Sequence, residues 1–239
     1  MKIVLGAALL LLVVIAAVTW RSGLGSEQEP EPPVDLAASE APVELTAEYV
    51  LRDDGRTRGS ADAPITLIEY SDFTFGFCQK FFHETWPRLQ STYIETGKIR
   101  FLYRDFTRSN GGPGLQLALA ARCAGAQGKY WPMHDRLFAR PGASGAADLR
   151  EHAKAIGLNG PAFAACMQEA RDTVAVFRDR AEGNTLGFRG TPGFILLKTK
   201  GPDRPAPIAM PGAFPYDVFA EQIDQLLAAP AAKGGKRDG

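Results

Sequence analysis

Residues Gly59 to Phe82 read GSADAPITLIEYSDFTFGFCQKFF. Ile65 to Tyr70 is an apolar, β-branched run, which predicts a strand. Ser71, Asp72 and Thr74 form a short polar loop. From Phe77 the apolar residues recur near helical spacing, at Phe77, Phe81, Trp86 and Leu89. A helix is expected from about Phe77 to Thr96, kinked at Pro87 and stopped by Gly97. A strand that turns tightly into a helix start is where many reactive groups are presented. This turn holds one cysteine, Cys78, with Phe75 three residues before it.

Working outward, KIRFLYRDF (98–106) supplies a second strand. Strand–helix–strand is the pattern of a parallel pair with a crossover. From Pro113 to about Leu186 the chain turns helical, in short apolar-periodic segments separated by Gly and Pro. RGTPGFILL returns to strand at about 193–198, IAM (208–210) makes a short partner, and PYDVFAEQIDQLLAA closes with an amphipathic helix. The order is β-α-β, helical block, β-β-α. An all-helical subdomain inserted in a small α/β sheet fits it.

The remaining segments suggest where such a domain works. Residues 3–20, IVLGAALLLLVVIAAVTW, carry no charge and follow Lys2. At ~1.5 Å per residue they reach about 27 Å, enough for a bilayer core. They read as an N-terminal hydrophobic helix, either an uncleaved signal anchor (1–22) or a cleaved signal peptide. Residues 23–47 are rich in Pro, Glu, Ala and Ser and read as a tether. The folded domain is expected at 48–228, with its insertion at about 113–187, followed by a flexible tail at 229–239. The 27 basic residues balance the 27 acidic ones, so a nucleic-acid partner is not expected.

GSADAPITLIEYSDF, KIRFLYRDF, AARCAGAQGKYWPMHDRLF and GFRGTPGFIL together resemble the DsbA-like branch of the thioredoxin superfamily over about residues 59–228. The resemblance implies a thioredoxin-like α/β fold with a helical insertion. It also implies thiol–disulfide exchange on exported proteins. The family's Cys-x-x-Cys falls here on Phe75-Gly76-Phe77-Cys78, so Phe75 stands at the position of the attacking nucleophile. That departure matters because a phenylalanine can neither ionise nor bond to a substrate sulfur. The two-cysteine cycle of attack and resolution cannot run within this motif. Cys78 is then either a remaining active-site thiol, able to form mixed disulfides if exposed, or a buried small hydrophobe.

The same resemblance extends to other residues. Thr191-Pro192 corresponds to a cis-proline element whose Thr191 backbone holds extended substrate, the alternative being an ordinary turn. Glu69 corresponds to an acidic group that tunes thiol acidity, the alternative being an exposed strand-end carboxylate. Cys123 and Cys166 are expected to form a structural disulfide rather than remain as two unpaired core thiols. The closed loop is worth about 4 kcal/mol in the chain-entropy view. Phe77 and Phe81 are expected in the core, with Phe75 exposed as an apolar docking point. His83, His134 and His152 lack metal-ligand spacing, so neither a metal nor a cofactor is expected.

Two functions follow. The first is a DsbA-like thiol–disulfide oxidoreductase, monothiol or impaired, acting on cysteine-containing exported proteins with a membrane redox partner. The second is a non-catalytic, chaperone-like binder of unfolded peptides. Either is expected in the periplasm or another extracytoplasmic space, held to the inner membrane by residues 3–20.

Overall fold

The computed structural model of the chain describes residues 51–200 and 205–228. The anchor or signal at 1–22, the tether at 23–47 and the tail at 229–239 lie outside the described residues. Among the described residues no helix is long and apolar enough to cross a membrane.

Five strands form one sheet in the order β1-β3-β2-β4-β5. They are β1 (Thr57–Arg58), β2 (Ile65–Ser71), β3 (Ile99–Asp105), β4 (Gly193–Lys198) and β5 (Ile208–Pro211). β2 and β3 are parallel, with Ile65 opposite Ile99 and Ser71 opposite Asp105. The other three pairings are antiparallel. A parallel pair cannot be joined by a hairpin, and the crossover here is helical.

That crossover begins as α1 (Gly76–Lys80), passes a π turn (Phe81–Thr85), continues as α2 (Trp86–Leu89) and ends in a second π turn (Gln90–Ile94). Pro87 lacks the N–H that would bond back to His83, and its ring crowds that carbonyl. A widened turn just before Pro87 relieves the clash without breaking the helix. Gly97, at φ 72°, ends the run, and the Lys98 N–H closes it by donating to the Tyr93 carbonyl at 2.9 Å.

Between β3 and β4 lies the helical insertion. It comprises α3 (Gly112–Gly125), α4 (Tyr130–Ala139), α5 (Ala146–Ala155), α6 (Gly160–Glu169) and α7 (Thr173–Thr185). α8 (Tyr216–Ala228) closes the domain. A disulfide ties Cys123 on α3 to Cys166 on α6 across 43 residues of sequence, with Cα atoms 5.8 Å apart. The architecture is thioredoxin-like α/β with a helical insertion.

The strand pleat sorts the core into two faces. Ile65, Leu67, Phe101, Tyr103, Phe194 and Leu196 face the crossover helix, α3, α4 and α8. Ile68, Tyr70, Leu102, Ile195 and Leu197 face the other way. α7 lies close on that second side. A Cβ on Gly183 would come within 2.7 Å of the Phe106 ring and 3.0 Å of Tyr70.

The apolar spacing read in α7 gives an incomplete picture, because its buried face is Val176, Asp179, Glu182 and Gly183. Asp179 accepts from Arg56 Nη1 and Arg122 Nη2, each at 2.7 Å, and from Arg52 Nη2 at 2.5 Å. Asp105 accepts from Arg122 Nε at 2.7 Å. Glu182 pairs with Arg52 and the Tyr70 hydroxyl, and Arg104 Nε lies 3.6 Å from it. Asp54 completes a balanced set of four guanidinium groups and four carboxylates. Carboxylates on a buried helix face are tolerated only when paired in this way.

Candidate active site and binding groove

β2 delivers the chain to the site, and Asp72 shapes the turn. Its Oδ1 accepts from the Thr74 N–H and hydroxyl, at 2.8 and 2.6 Å. Its Oδ2 accepts from the Arg108 N–H at 3.0 Å. Phe75 is the N-cap of α1, and its carbonyl accepts from the Cys78 and Gln79 N–H groups. A phenyl ring satisfies none of the free donors at a helix start. Phe75 is half-buried, with the Arg108 guanidinium 4.7 Å from its ring centroid. Phe77 is 58% exposed, against the expectation of a core residue. The helix turns Cys78 and Phe81 inward, three residues apart, and leaves Phe77 about 100° round from Cys78.

Cys78 has 0% exposure. Its Sγ lies 3.2 Å from Thr191 Oγ1, and the Thr191 hydroxyl donates to the Tyr70 carbonyl at 2.9 Å. A hydroxyl has one hydrogen, and here the Tyr70 carbonyl takes it. With that hydrogen engaged, the contact suits Cys78 as the donor, a neutral thiol. Burial pushes the Cys78 thiol up to about 12, and the Glu69 carboxylate adds to the rise. Polar groups around the sulfur, the Asp72 backbone first among them, offset only part of it.

Glu69 is buried, not a strand-end carboxylate at the surface. Burial pushes its carboxyl up to about 8. Ser71 opposes this, and among the described residues neither Ser71 Oγ nor Glu69 Oε1 completes a hydrogen bond. Tyr103, opposite Glu69 on β3, also leaves its hydroxyl without a protein partner. Beneath the loop His134 packs against Phe73, Tyr103, Trp131 and Phe138, and burial holds its imidazole below the ordinary value.

The peptide bond between Thr191 and Pro192 is cis. Phe75, Thr191 and Pro192 line one side of a groove of about 800 Å³. Phe106, Thr107, Arg108, Arg180 and Arg189 complete much of its wall. The Thr191 N–H and C=O form no hydrogen bond within the described residues.

Cys78, Thr191, Pro192, Phe75 and Glu69 are thus gathered at one end of β2, while Cys123 and Cys166 bond to each other in the insertion. Sequence reasoning missed the three groove arginines. They come from the loop after β3, from α7 and from the loop before β4, and no local pattern unites them. No imidazole hydrogen-bonds Cys78. His83 is exposed, and His152 lies between Arg136 and the Ala143 carbonyl. Among the described residues no three His, Cys, Asp or Glu side chains converge as metal ligands.

Residues 52–205 match the model of the thioredoxin family. The chain belongs to that family. Its DsbA-like fold is seen in the crystal structure of alpha-DsbA1 from Wolbachia pipientis. The two share 24% identity and a TM-score of 0.67 over 75% of this chain and 94% of that one. Disulfide bond formation protein D of Bacillus subtilis is 28% identical over 82 residues, 34% of this thioredoxin-family chain and 36% of that protein. The Na(+)/H(+) antiporter NhaA 1 of Salinispora arenicola is 30% identical over 162 residues, 67% of this chain. The shared part is 24% of the antiporter, so the chain spans about a quarter of that relative's length.

Proposed function

We propose that this thioredoxin-family chain is a DsbA-like scaffold that binds extended segments of exported polypeptides without exchanging disulfides. The observation that carries the reading is the state of Cys78, which is fully buried and held as a thiol that donates to Thr191. Disulfide exchange needs an accessible thiolate. Cys123 and Cys166 are bonded to each other, so no second sulfur stands beside Cys78 to complete a cycle with a membrane redox partner.

What a binder requires is retained. Phe75, Phe106 and Pro192 give the groove apolar lining, and the unpaired Thr191 amide suits capture of an extended chain by strand-like pairing. The Cys123–Cys166 disulfide suits an oxidising compartment outside the cytoplasmic membrane, reached through residues 3–20. Relatives named for disulfide formation support the ancestry of the scaffold.

The test is iodoacetamide labelling of the full chain at pH 8, folded and in denaturant. A thiol near pKa 12 carries on the order of a thousandfold less thiolate there than an ordinary one. Folded Cys78 should label at least a hundredfold more slowly than unfolded Cys78. Labelling at the rate of a free thiol, with Cys78-dependent mixed disulfides, would sink the reading in favour of a monothiol oxidoreductase.

A further inference from the structure

The groove is lined by apolar and by cationic side chains. Arg108, Arg180 and Arg189 line it, and among the described residues no carboxylate does. Arg180 donates to Asn110 Oδ1 at 2.5 Å, and Arg189 to the carbonyls of Asn184 and Phe188 at 3.0 and 3.2 Å. Neither arginine forms an ion pair among the described residues. Arg108 lies over the Phe75 ring, with its Nε 3.8 Å from Asp72 Oδ2. That buried carboxylate is already engaged by the Thr74 N–H and hydroxyl and by the Arg108 N–H.

The reason for the excess of charge lies on the other side of α7. Its acids Asp179 and Glu182 are turned inward and neutralised by Arg52, Arg56, Arg104 and Arg122. Arg180, between them in sequence, is left to face the groove alone. Positive charge of this kind, bordering an unpaired backbone amide and apolar lining, selects a negatively charged extended chain.

We infer that the groove selects acidic segments of polypeptide, with Arg108, Arg180 and Arg189 as its specificity-determining residues. The inference rests on the peptide-binding reading above and names the substrate class for that site. Phe75 has a part in it beyond displacing a sulfur. Its ring seats the Arg108 guanidinium at the mouth of the groove, where a smaller side chain would leave that cation without its aromatic contact.

The experiment uses three cysteine-free peptides of equal length and apolar content, carrying Glu, Gln or Lys at the same positions. Binding to the full chain is read by fluorescence anisotropy at low and high salt. The Glu peptide should bind at least about tenfold more tightly than the Gln peptide at low salt, and the Lys peptide most weakly. High salt should remove most of that difference. Each of Arg108→Gln, Arg180→Gln and Arg189→Gln should cost the Glu peptide about two- to fivefold. The triple variant should bind Glu and Gln peptides alike. Arg178→Gln, exposed on α7 but outside the groove, should change nothing. Equal binding of Glu and Gln peptides would overturn the acidic preference and leave the groove reading standing. Preference that persists in the triple variant would overturn the assignment to these arginines. Failure of all three peptides to bind would instead overturn the groove reading itself.

Discussion

A thiol reacts as its thiolate, so what Cys78 can do is decided by its acidity and its access to a substrate. Both are unfavourable, and for related reasons. Burial removes the water that would stabilise a sulfur anion, and Glu69, which ionises before the thiol, makes a second negative charge costly. In a two-cysteine site this would be no defect, because the buried sulfur needs only to resolve a bond made by the outer one. Phe75→Cys should therefore restore exchange. The variant should accelerate insulin reduction by dithiothreitol, and the further change Cys78→Ala should abolish turnover. A folded Phe75→Cys variant without turnover would show that the site has lost more than one sulfur. The motif itself was legible because its residues are contiguous. The depth of Cys78 was not, since it depends on Thr191, 113 residues further on.

At the level of elements, legibility followed contiguity again. β2, β3 and β4 are contiguous stretches rich in β-branched, aromatic and other apolar residues, and the closing helix has a clear apolar stripe. β1 has two residues and exists only through its pairing with β3. α7 misled because half its buried face is acidic, and the partners of those acids lie far off, Arg56 at 123 residues and Arg52 at 130. That face locks the insertion to the sheet and to the segment preceding β1. Removing one member leaves its partners charged and buried, which costs more than the intact cluster contributes. Asp179→Ala leaves the four guanidinium groups with three carboxylates and one uncompensated buried charge, and should cost about 3–5 kcal/mol. For a domain of this size the melting temperature should fall by about 10 °C. Scanning calorimetry measures it, and a fall within about 2 °C would mean that the cluster is solvated rather than buried.

Across the whole molecule, the two faces of the sheet treat charge in opposite ways, and pH separates them. On the α7 side the carboxylates are paired. Burial alone would raise Asp54, but the Arg56 hydrogen bond and charge, then Arg104 and Arg122, bring it down to about 2. Asp179 is likewise lowered, burial being outweighed by Arg56 and Arg122. A depressed carboxylate contributes stability above its unfolded pKa and loses it as pH falls through the folded one, which sets an acid limb below about pH 4. On the site side Glu69 has the reverse sign. With a folded pKa of about 8 against 4.5 unfolded, it is protonated in the native state and costs stability as pH rises between the two. His134, lowered by burial from 6.5, works against that cost up to pH 6.5, because the unfolded chain there holds a proton that the native imidazole lacks. Below 6.5 the two contributions oppose each other. Above 6.5 the Glu69 contribution stands alone, at about 1.4 kcal/mol per pH unit for one proton. Stability should fall by about 2 kcal/mol between pH 6.5 and 8, and less steeply just below 6.5. Glu69→Gln, which carries no proton to lose, should abolish the fall and expose a rise up to pH 6.5 from His134. Urea unfolding of both proteins at half-unit pH steps reads this directly. The same decline in the variant as in the parent would mean that Glu69 is already ionised in the native site.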